Sequence, residues 1–318
     1  MAAHIGELQS VCLVSAFWLL SPMCFCQDLA PRAYTIVPVH SNAVILTQSY
    51  FSGGLLFDPS IPITDATAQI NVTAVSLFHT FSFFGRSSSI TASLPYGIGN
   101  FHGLVTGSPT SDHIYRSGMA DASFRFAVNF MGGPAMPVKD FVKWRQKTIL
   151  GASLTVVAKT GQYDPTKLIN LGSNRWAFKS ELGLSQRWGS WVLDAYGALW
   201  LFTTNPEFFS HNSFSPGTNT KSEAPVGAFE GHLSYDVKPR FWASLDANFW
   251  TGGNASINGV SNPGTFQRSS RIGGTFSFPV SRHQAFKVSY NNGAYIRFGG
   301  DYQNVSVGWQ YSWVGKPE

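Results

Sequence analysis

Alternation of apolar and polar residues at period two is the sequence feature that most constrains the fold of this chain. The clearest example lies near the carboxyl end, where the apolar set is Val305, Val307, Trp309, Tyr311 and Trp313. Successive side chains of a β-strand point to opposite faces, so such a segment places its apolar residues on one face of a sheet. No comparable pattern repeats every 3.6 residues, and the chain is therefore predicted to be all-β.

Twelve such segments follow one another along the chain. They lie near residues 42–51, 68–80, 87–96, 119–131, 147–159, 175–188, 190–203, 225–237, 240–251, 267–279, 284–296 and 303–313. Short turns alternate with long loops rich in Gly, Pro, Asn and Ser, which is typical of an outer-membrane barrel. Two connections depart from this alternation. Residues 132–146 contain a predicted brief surface helix near 137–146, and the loop at 297–302 is shorter than the other loops.

The polar face distinguishes a membrane barrel from a soluble one. Charged residues make up 12% of the chain, about half of the roughly 25% usual in soluble domains. The polar face is mostly Ser, Thr, Asn and Gly, as expected of a lumen, whereas a soluble barrel would expose Lys and Glu there. Aromatic residues gather near the strand ends, as in the girdles at membrane interfaces. The sequence thus predicts a transmembrane antiparallel β-barrel of about twelve strands, with a soluble all-β fold as the alternative.

The first 26 residues are predicted to be a secretory signal peptide. An apolar stretch at residues 11–20 precedes Cys24 and Cys26, which occupy the positions that a signal peptidase inspects. The usual positive start is missing, because the first ten residues contain Glu7 and no Lys or Arg; a buried N-terminal helix is the alternative. Cleavage after Cys26 would leave a barrel domain of residues 27–318 without cysteine, exported to the bacterial outer membrane.

Several stretches of the chain resemble the putative meta-pathway phenol-degradation family. They are QDLAPRAY at 27–34, SGGLLFDPS at 52–60, GQYDP at 161–165, NLGSNRW at 170–176 and WASLD at 242–246. This family comprises predicted outer-membrane transporters of Gram-negative bacteria, and the resemblance extends from about 27 to 313. It implies a channel for passive diffusion of small, aromatic or hydrophobic solutes, with outer-membrane lipid as the surrounding partner and no catalytic residues.

The alternation assigns a set of charged residues to the polar face, and these are the candidate lumen-lining residues. They are Arg125, Lys159, Arg175, Lys179, Glu181, Asp194, Glu230, Asp236, Asp246 and Arg271. An ionisable side chain in a membrane segment is costly unless it faces water or a partner. The basic members come mostly before the acidic ones along the chain, which predicts a basic wall facing an acidic wall. Such a field would disfavour apolar solutes in the middle of the channel.

The number of strands leaves the state of the lumen open. Barrels of about eight strands are filled by side chains, whereas those of about sixteen hold an aqueous channel. Twelve lies between these limits. The interior is therefore either a selective pore or a filled network of paired charges, closed by residues 27–41 folding inward.

One short motif resembles a catalytic motif. His232-Leu233-Ser234 is similar to the His-x-Ser of outer-membrane phospholipase barrels, but Tyr235 follows where that family has Asn. Parity also places His232 and Ser234 on the lumen face, whereas a lipid-cleaving site must open to lipid. We therefore expect no enzyme; a phospholipase-like enzyme and a structural or adhesive barrel are the alternatives.

No cofactor or nucleic-acid partner is expected either. The sequence has no nucleotide-binding loop and no zinc-ligand spacing. Its net charge of +5 is spread along the chain without a Lys/Arg cluster. The partners expected are lipid and a small-molecule solute, and nothing in the sequence specifies an oligomeric state.

Overall fold

The computed structural model describes residues 29–56, 63–105, 111–213 and 215–315. The predicted signal peptide and its cleavage site lie outside these residues. The strands are β1 (Ser41–Leu56), β2 (Ile63–Phe83), β3 (Arg86–Val105), β4 (Ser111–Met119), β5 (Ser123–Met131), β6 (Thr148–Val157), β7 (Ala177–Trp188), β8 (Trp191–Phe202), β9 (Lys221–Glu223), β10 (Val226–Lys238), β11 (Phe241–Gly252), β12 (Ala255–Ile257), β13 (Val260–Asn262), β14 (Gln267–Pro279), β15 (Gln284–Tyr295) and β16 (Gly299–Val314). A single-turn helix, α1, spans Val138–Phe141, and among the described residues no helix is long and apolar enough to cross a membrane.

Twelve strand positions close into one antiparallel ring. The order is β1, β2, β3, β5, β6, β7, β8, β10, β11, β14, β15 and β16, and β16 pairs back to β1. Strands β4 and β5 both pair with β3, through Tyr96–Met119 and Ser93–Ser123, so they act as one strand interrupted at residues 120–122. The predicted barrel of about twelve strands is confirmed. Strands β9, β12 and β13 form a small separate sheet among the long loops.

The predicted segments match the ring strands, with differences at the loop end. Here the loop end is the end of the barrel with the long connections, and the turn end is the end with the short ones. Strands β1, β2 and β3 run beyond their predicted limits, so most of the loops expected near 52–67 and 97–118 is strand. The helix expected near 137–146 is present but shorter.

The outer surface of the ring is apolar and its inner surface is polar. Leu245 is 71% exposed and Leu182 is 65% exposed, whereas Asp194 on the inner side of β8 is fully buried. A soluble barrel has the opposite arrangement, with a polar outer surface and an apolar interior. Because hydrocarbon offers no hydrogen-bond partners, a closed ring is the form in which strands can cross it, and we conclude that this barrel spans an outer membrane.

Strand β2 shows where the membrane ends. It has 21 residues, roughly twice the 9–11 that a tilted strand needs to cross hydrocarbon. Val75 and Leu77 are exposed on the outer face, but nearer the loop end the apolar residues Ala68 and Ile70 are buried on the inner face. The pairing with β1 continues without a shift in register along this stretch. The apolar residues of β2 therefore lie on the outer face toward the turn end and on the inner face toward the loop end. The outer face therefore meets lipid toward the turn end and water toward the loop end.

The barrel interior as candidate functional site

A segment of the chain that forms no part of the barrel wall lies inside the barrel. Residues 29–40 precede β1 and form no strand. The backbone N–H of Arg32 donates to Asp194 Oδ2 at 3.1 Å, and that of Ala33 donates to the hydroxyl of Tyr196 at 3.0 Å. Both acceptors are buried on β8. For its described part, the N-terminal segment thus folds inward, which was one of the two alternatives for the lumen. We call residues 29–40 the plug.

Tyr34 is the main packing anchor of the plug. Its side chain is 1% exposed, and its ring lies over Gly151 of β6 and Gly183 of β7. A Cβ at these glycines would lie 2.3 and 2.1 Å from the ring, respectively, so only glycine leaves room for it. The Tyr34 hydroxyl donates to Glu181 Oε1 at 2.9 Å, and Asn129 Nδ2 donates to the Tyr34 carbonyl at 3.1 Å. The pocket is therefore specific for a large aromatic side chain.

Arg32 fastens the plug nearer the turn end. Its Nη1 lies 2.7 Å from Asp236 Oδ1, and its guanidinium lies over the Trp242 ring at 4.5 Å. Asp236 also accepts from Arg187 Nη1 at 2.6 Å. One carboxylate thus joins two strands of the wall to the plug. Because these groups are largely shielded from water, the charge-assisted bonds are stronger than equivalent pairs on a surface.

The middle of the barrel contains a chain of ion pairs centred on Glu181. Its carboxylate lies 3.4 Å from Arg125 Nη2 and 2.6 Å from Lys179 Nζ. Lys179 reaches across β8 to Glu230 at 3.0 Å. On the far side of Glu230, His232 Nε2 lies 3.5 Å away. These contacts connect β5, β7 and β10 through side chains alone.

His232 continues the chain to the next strands. Its Nδ1 lies 2.9 Å from Asp246 Oδ1, and Thr275 Oγ1 donates to Asp246 Oδ2 at 2.7 Å. Ser234 is fully buried, and its hydroxyl has no hydrogen-bond partner among the described residues. His232 is therefore engaged with carboxylates and does not activate Ser234. Both side chains face the interior, as parity indicated, and not the lipid.

The polarised lumen expected from the sequence is not what the structure shows. Basic residues lie mostly on β5 and β7 and acidic ones mostly on β8, β10 and β11, but these strands are near neighbours in the ring and their charges pair, as in the contacts of Lys179 and Asp236. Basic side chains are long enough to reach carboxylates one or two strands away, so the charges neutralise each other locally. Among the described residues, the basic and acidic groups therefore pair along the wall instead of facing each other across the lumen as two unpaired walls.

Two of the predicted lumen residues lie outside the strands, and a third is on the inner face but bonded to the wall. Lys159 lies beyond the end of β6 in an exposed bend, because the strand ends at Val157 where the chain turns into the loop. Arg175 precedes β7 and pairs with Glu223 at 2.6 Å, near the loop end. Arg271 is on the inner face of β14 and is 1% exposed, but its Nη1 donates to Asn291 Oδ1 at 2.9 Å and to the Tyr302 carbonyl at 2.7 Å.

The position of Arg271 has a structural cause. The pairing of β15 with β16 ends at Asn291–Asn304, although both strands continue. Beyond this point, the guanidinium of Arg271 on β14 donates to the carbonyl of Tyr302 on β16. This contact links β14 and β16 on the inner side of the wall.

Two apolar groups of inward-facing side chains were not predicted. One packs near the loop end and comprises Val157, Ala177, Trp200, Val226, Ala228, Trp250 and Ile296. The other comprises Ala68, Ile70 and Val72, with Phe51, Leu55 and Phe101 packed against them. Trp200 lies an even number of positions from Asp194 on β8, so both side chains face the interior. This spacing in the sequence could have revealed the first group. Toward the loop end, the interior thus contains apolar clusters beside its polar groups.

The loop at residues 158–176 folds over this end of the barrel. Asp121, in the interruption between β4 and β5, accepts from the backbone N–H of Gly161 and of Ser173, both at 2.8 Å, and from the Ser173 hydroxyl at 2.5 Å. Leu171 of the same loop approaches Gly97 on the inner face of β3. One buried carboxylate therefore holds both ends of the loop in place.

A lysine is buried in the neighbouring loop sheet. Lys221 of β9 is 4% exposed, and its ammonium lies 4.7 Å from the centre of the Phe208 ring. Burial lowers the pKa of Lys221 to about 8, and the nearby charge of Arg175 acts in the same direction. The loops thus form a packed cover with its own interior.

Comparisons with known proteins agree with this architecture. The COG4313 outer-membrane channel from Pseudomonas putida F1 superimposes with a TM-score of 0.73 at 16% identity, covering 90% of this chain and all of that chain. The β domain of the Bordetella autotransporter BrkA gives a TM-score of 0.50 at 11% identity, covering 86% and 100%. No curated protein matches the sequence. The family model described as "Putative MetA-pathway of phenol degradation" matches residues 50–313, and the chain belongs to this family.

Proposed function

We propose that this protein is an outer-membrane channel through which small aromatic or other hydrophobic solutes diffuse passively. The observation that carries the proposal is the plug. It fills the ring through side-chain packing and hydrogen bonds, as at Tyr34 and Arg32, and it is not a strand of the wall. Such a segment can leave its seat while the barrel stays closed. The solute class follows from the family's association with phenol degradation.

The charged residues around the plug have a corresponding role in this proposal. Arg125, Lys179 and Glu181 hold the seat of Tyr34, while Asp194 and Asp236 hold Arg32. Glu230 and Asp246 complete the network. When the plug leaves, these groups line the passage and, apart from Asp194, remain paired with one another, so their charges do not repel an uncharged solute as strongly as unpaired ones would.

Export and processing fit the same function. We infer that residues 1–26 are removed, so that the mature chain begins at Gln27, close to the start of the plug. A free N-terminus allows the plug to withdraw without breaking a strand. Intact-mass measurement of the mature protein tests this step. A mass that retains a cysteine or carries an acyl group would contradict it.

We infer no catalytic activity for this barrel. His232 contacts Asp246 and Glu230, and Ser234 is enclosed in the interior. Lipid cannot reach this hydroxyl through a closed wall. Purified protein should release no fatty acid from phospholipid vesicles, and activity that Ser234→Ala abolishes would favour the phospholipase alternative.

The channel is tested by its conductance and by uptake. In planar bilayers, a variant lacking residues 27–36 should show larger and longer openings than the full mature chain. Intact cells that express the protein should take up radiolabelled toluene faster than cells with an empty vector. If neither the conductance nor the uptake changes, the protein is not a channel, and a structural or adhesive barrel becomes the better interpretation.

A further inference from the structure

The inner face of β1, β2 and β3 above the membrane has the features of a binding site. Below this level the interior is polar, yet here Ala68, Ile70 and Val72 of β2 form a buried apolar surface. The outer face of the same stretch carries exposed polar residues, Gln69 and Asn71 among them. The apolar surface therefore faces the mouth of the barrel and not the lipid.

Larger side chains extend this surface into the mouth. Phe51 and Leu55 of β1 and Phe101 of β3 pack against it while remaining partly exposed. Phe51 also meets Tyr302 of β16 in an edge-to-face arrangement with ring centres 6.0 Å apart. Partly exposed aromatic rings at the mouth of a barrel, in contact with water, gain free energy when an apolar molecule covers them.

Glycines and a loop bound this surface. Phe101 lies back over Gly99, where a Cβ would come within 2.7 Å of its ring. At the next inward position, Gly97 leaves room for Leu171 of the 158–176 loop. The loop is held by Asp121, so this wall of the site has a fixed position. These glycines thus allow Phe101 and Leu171 to lie close against β3.

We propose that this surface binds the solute first, as a site for a single-ring aromatic hydrocarbon, with Phe51 and Phe101 as the residues that determine specificity. The inference rests on the proposed channel function. Aromatic rings in edge-to-face pairs complement another ring better than an alkyl chain. The apolar inner face then continues down β2 to Val72, which leads the solute from the mouth toward the plug.

Binding to purified protein tests the site directly. The probe is radiolabelled toluene, in equilibrium dialysis against the protein in amphipol, with amphipol alone subtracted. Phe51→Ala and Phe101→Ala should each weaken toluene binding by about three- to tenfold. Tyr50→Ala is the matched control, because Tyr50 neighbours Phe51 on the outer face, and it should leave binding unchanged. Unchanged affinity in both Phe variants, or an equal loss in the control, would overturn the site.

A second variant covers the case in which an alanine substitution prevents folding. Phe101→Leu keeps an apolar side chain and removes only the ring. It should lower the affinity for toluene relative to that for hexane by at least about twofold. The same loss for both probes would show that the ring does not set the preference.

Uptake by cells separates the site from the channel. Wild type that takes up toluene no faster than the empty vector contradicts the channel itself. Faster uptake by wild type, with an unchanged rate in the Phe51→Ala/Phe101→Ala double variant, contradicts only the site. We expect the wild type to be faster and the double variant to be at least about threefold slower at low toluene concentration, with Tyr50→Ala like wild type.

Discussion

Replacing Tyr34 by alanine should unseat the plug. The ring of Tyr34 is almost completely buried between the wall strands, and its hydroxyl donates to Glu181. Alanine removes both contacts, but Glu181 keeps Arg125 and Lys179 as partners. The substitution therefore leaves no unpaired charge, and its cost falls on the plug rather than on the barrel wall.

The size of the effect follows from these contacts. Truncating a buried aromatic side chain to alanine costs about 3–5 kcal/mol, which favours the released plug by a factor of about 150 to several thousand. Tyr34→Phe keeps the ring and loses only the hydrogen bond to a carboxylate, worth about 2 kcal/mol, or about thirtyfold. The fraction of molecules with a released plug should therefore increase from wild type to Tyr34→Phe and further to Tyr34→Ala.

Single-channel recording in planar bilayers measures this series as open probability. Wild type should be mostly closed, Tyr34→Phe intermediate and Tyr34→Ala most often open. Gly183→Ala provides an independent approach, because its Cβ would lie 2.1 Å from the Tyr34 ring and should displace the plug without changing it. Equal open probability in wild type and Tyr34→Ala, with both proteins folded, would refute the proposed role of the plug.

Three further predictions concern other parts of the barrel. Glu181→Gln removes the carboxylate that Arg125 and Lys179 share, and Lys179 alone keeps a second one, Glu230. It should therefore destabilise the barrel by about 3–5 kcal/mol in urea titration, and an unchanged midpoint would contradict the ion-pair network. Because burial lowers the pKa of Lys221 to about 8 from 10.5, the unfolded chain binds more protons between these values and stability should rise with pH across that window. In ¹³C-lysine spectra Lys221 should titrate near 8, and Phe208→Ala should move the midpoint upward. Cysteine at Gln310 should react with a membrane-impermeant thiol reagent and cysteine at Trp309 should not; the reverse would mean that the register is wrong by one residue.

The wall of the barrel could be predicted because it depends on local pattern. Alternation alone assigns each residue of a strand to a face, and the short turns fix which strands are neighbours. Strands such as β7 and β11 therefore appear within two residues of their predicted limits. The length of β2 was underestimated because its apolar residues change faces above the membrane. The sequence of this part of the strand therefore resembles that of a polar loop.

The interior could not be predicted to the same extent. Parity places Lys179 and Glu230 on the inner side but does not say that one side chain crosses β8 to reach the other. The seat of Tyr34 depends on glycines more than 100 positions away in the chain, and a tyrosine before the first strand carries no signal of this contact. Contacts across a lumen depend on side-chain length and barrel radius, which no local pattern encodes.

The pairing of β1 with β16 also determines how the protein must fold. Its ladder extends over the whole length of both strands, from Ser41–Val314 to Leu56–Gly299, and so joins residues that are almost a full chain apart. Contacts of such long sequence separation form late and slowly. Until they form, β1 and β16 present unpaired edges that can add strands from other molecules. Closure of the ring is therefore the step at which assembly competes with aggregation, and a chain shortened by its last strand would lose that competition.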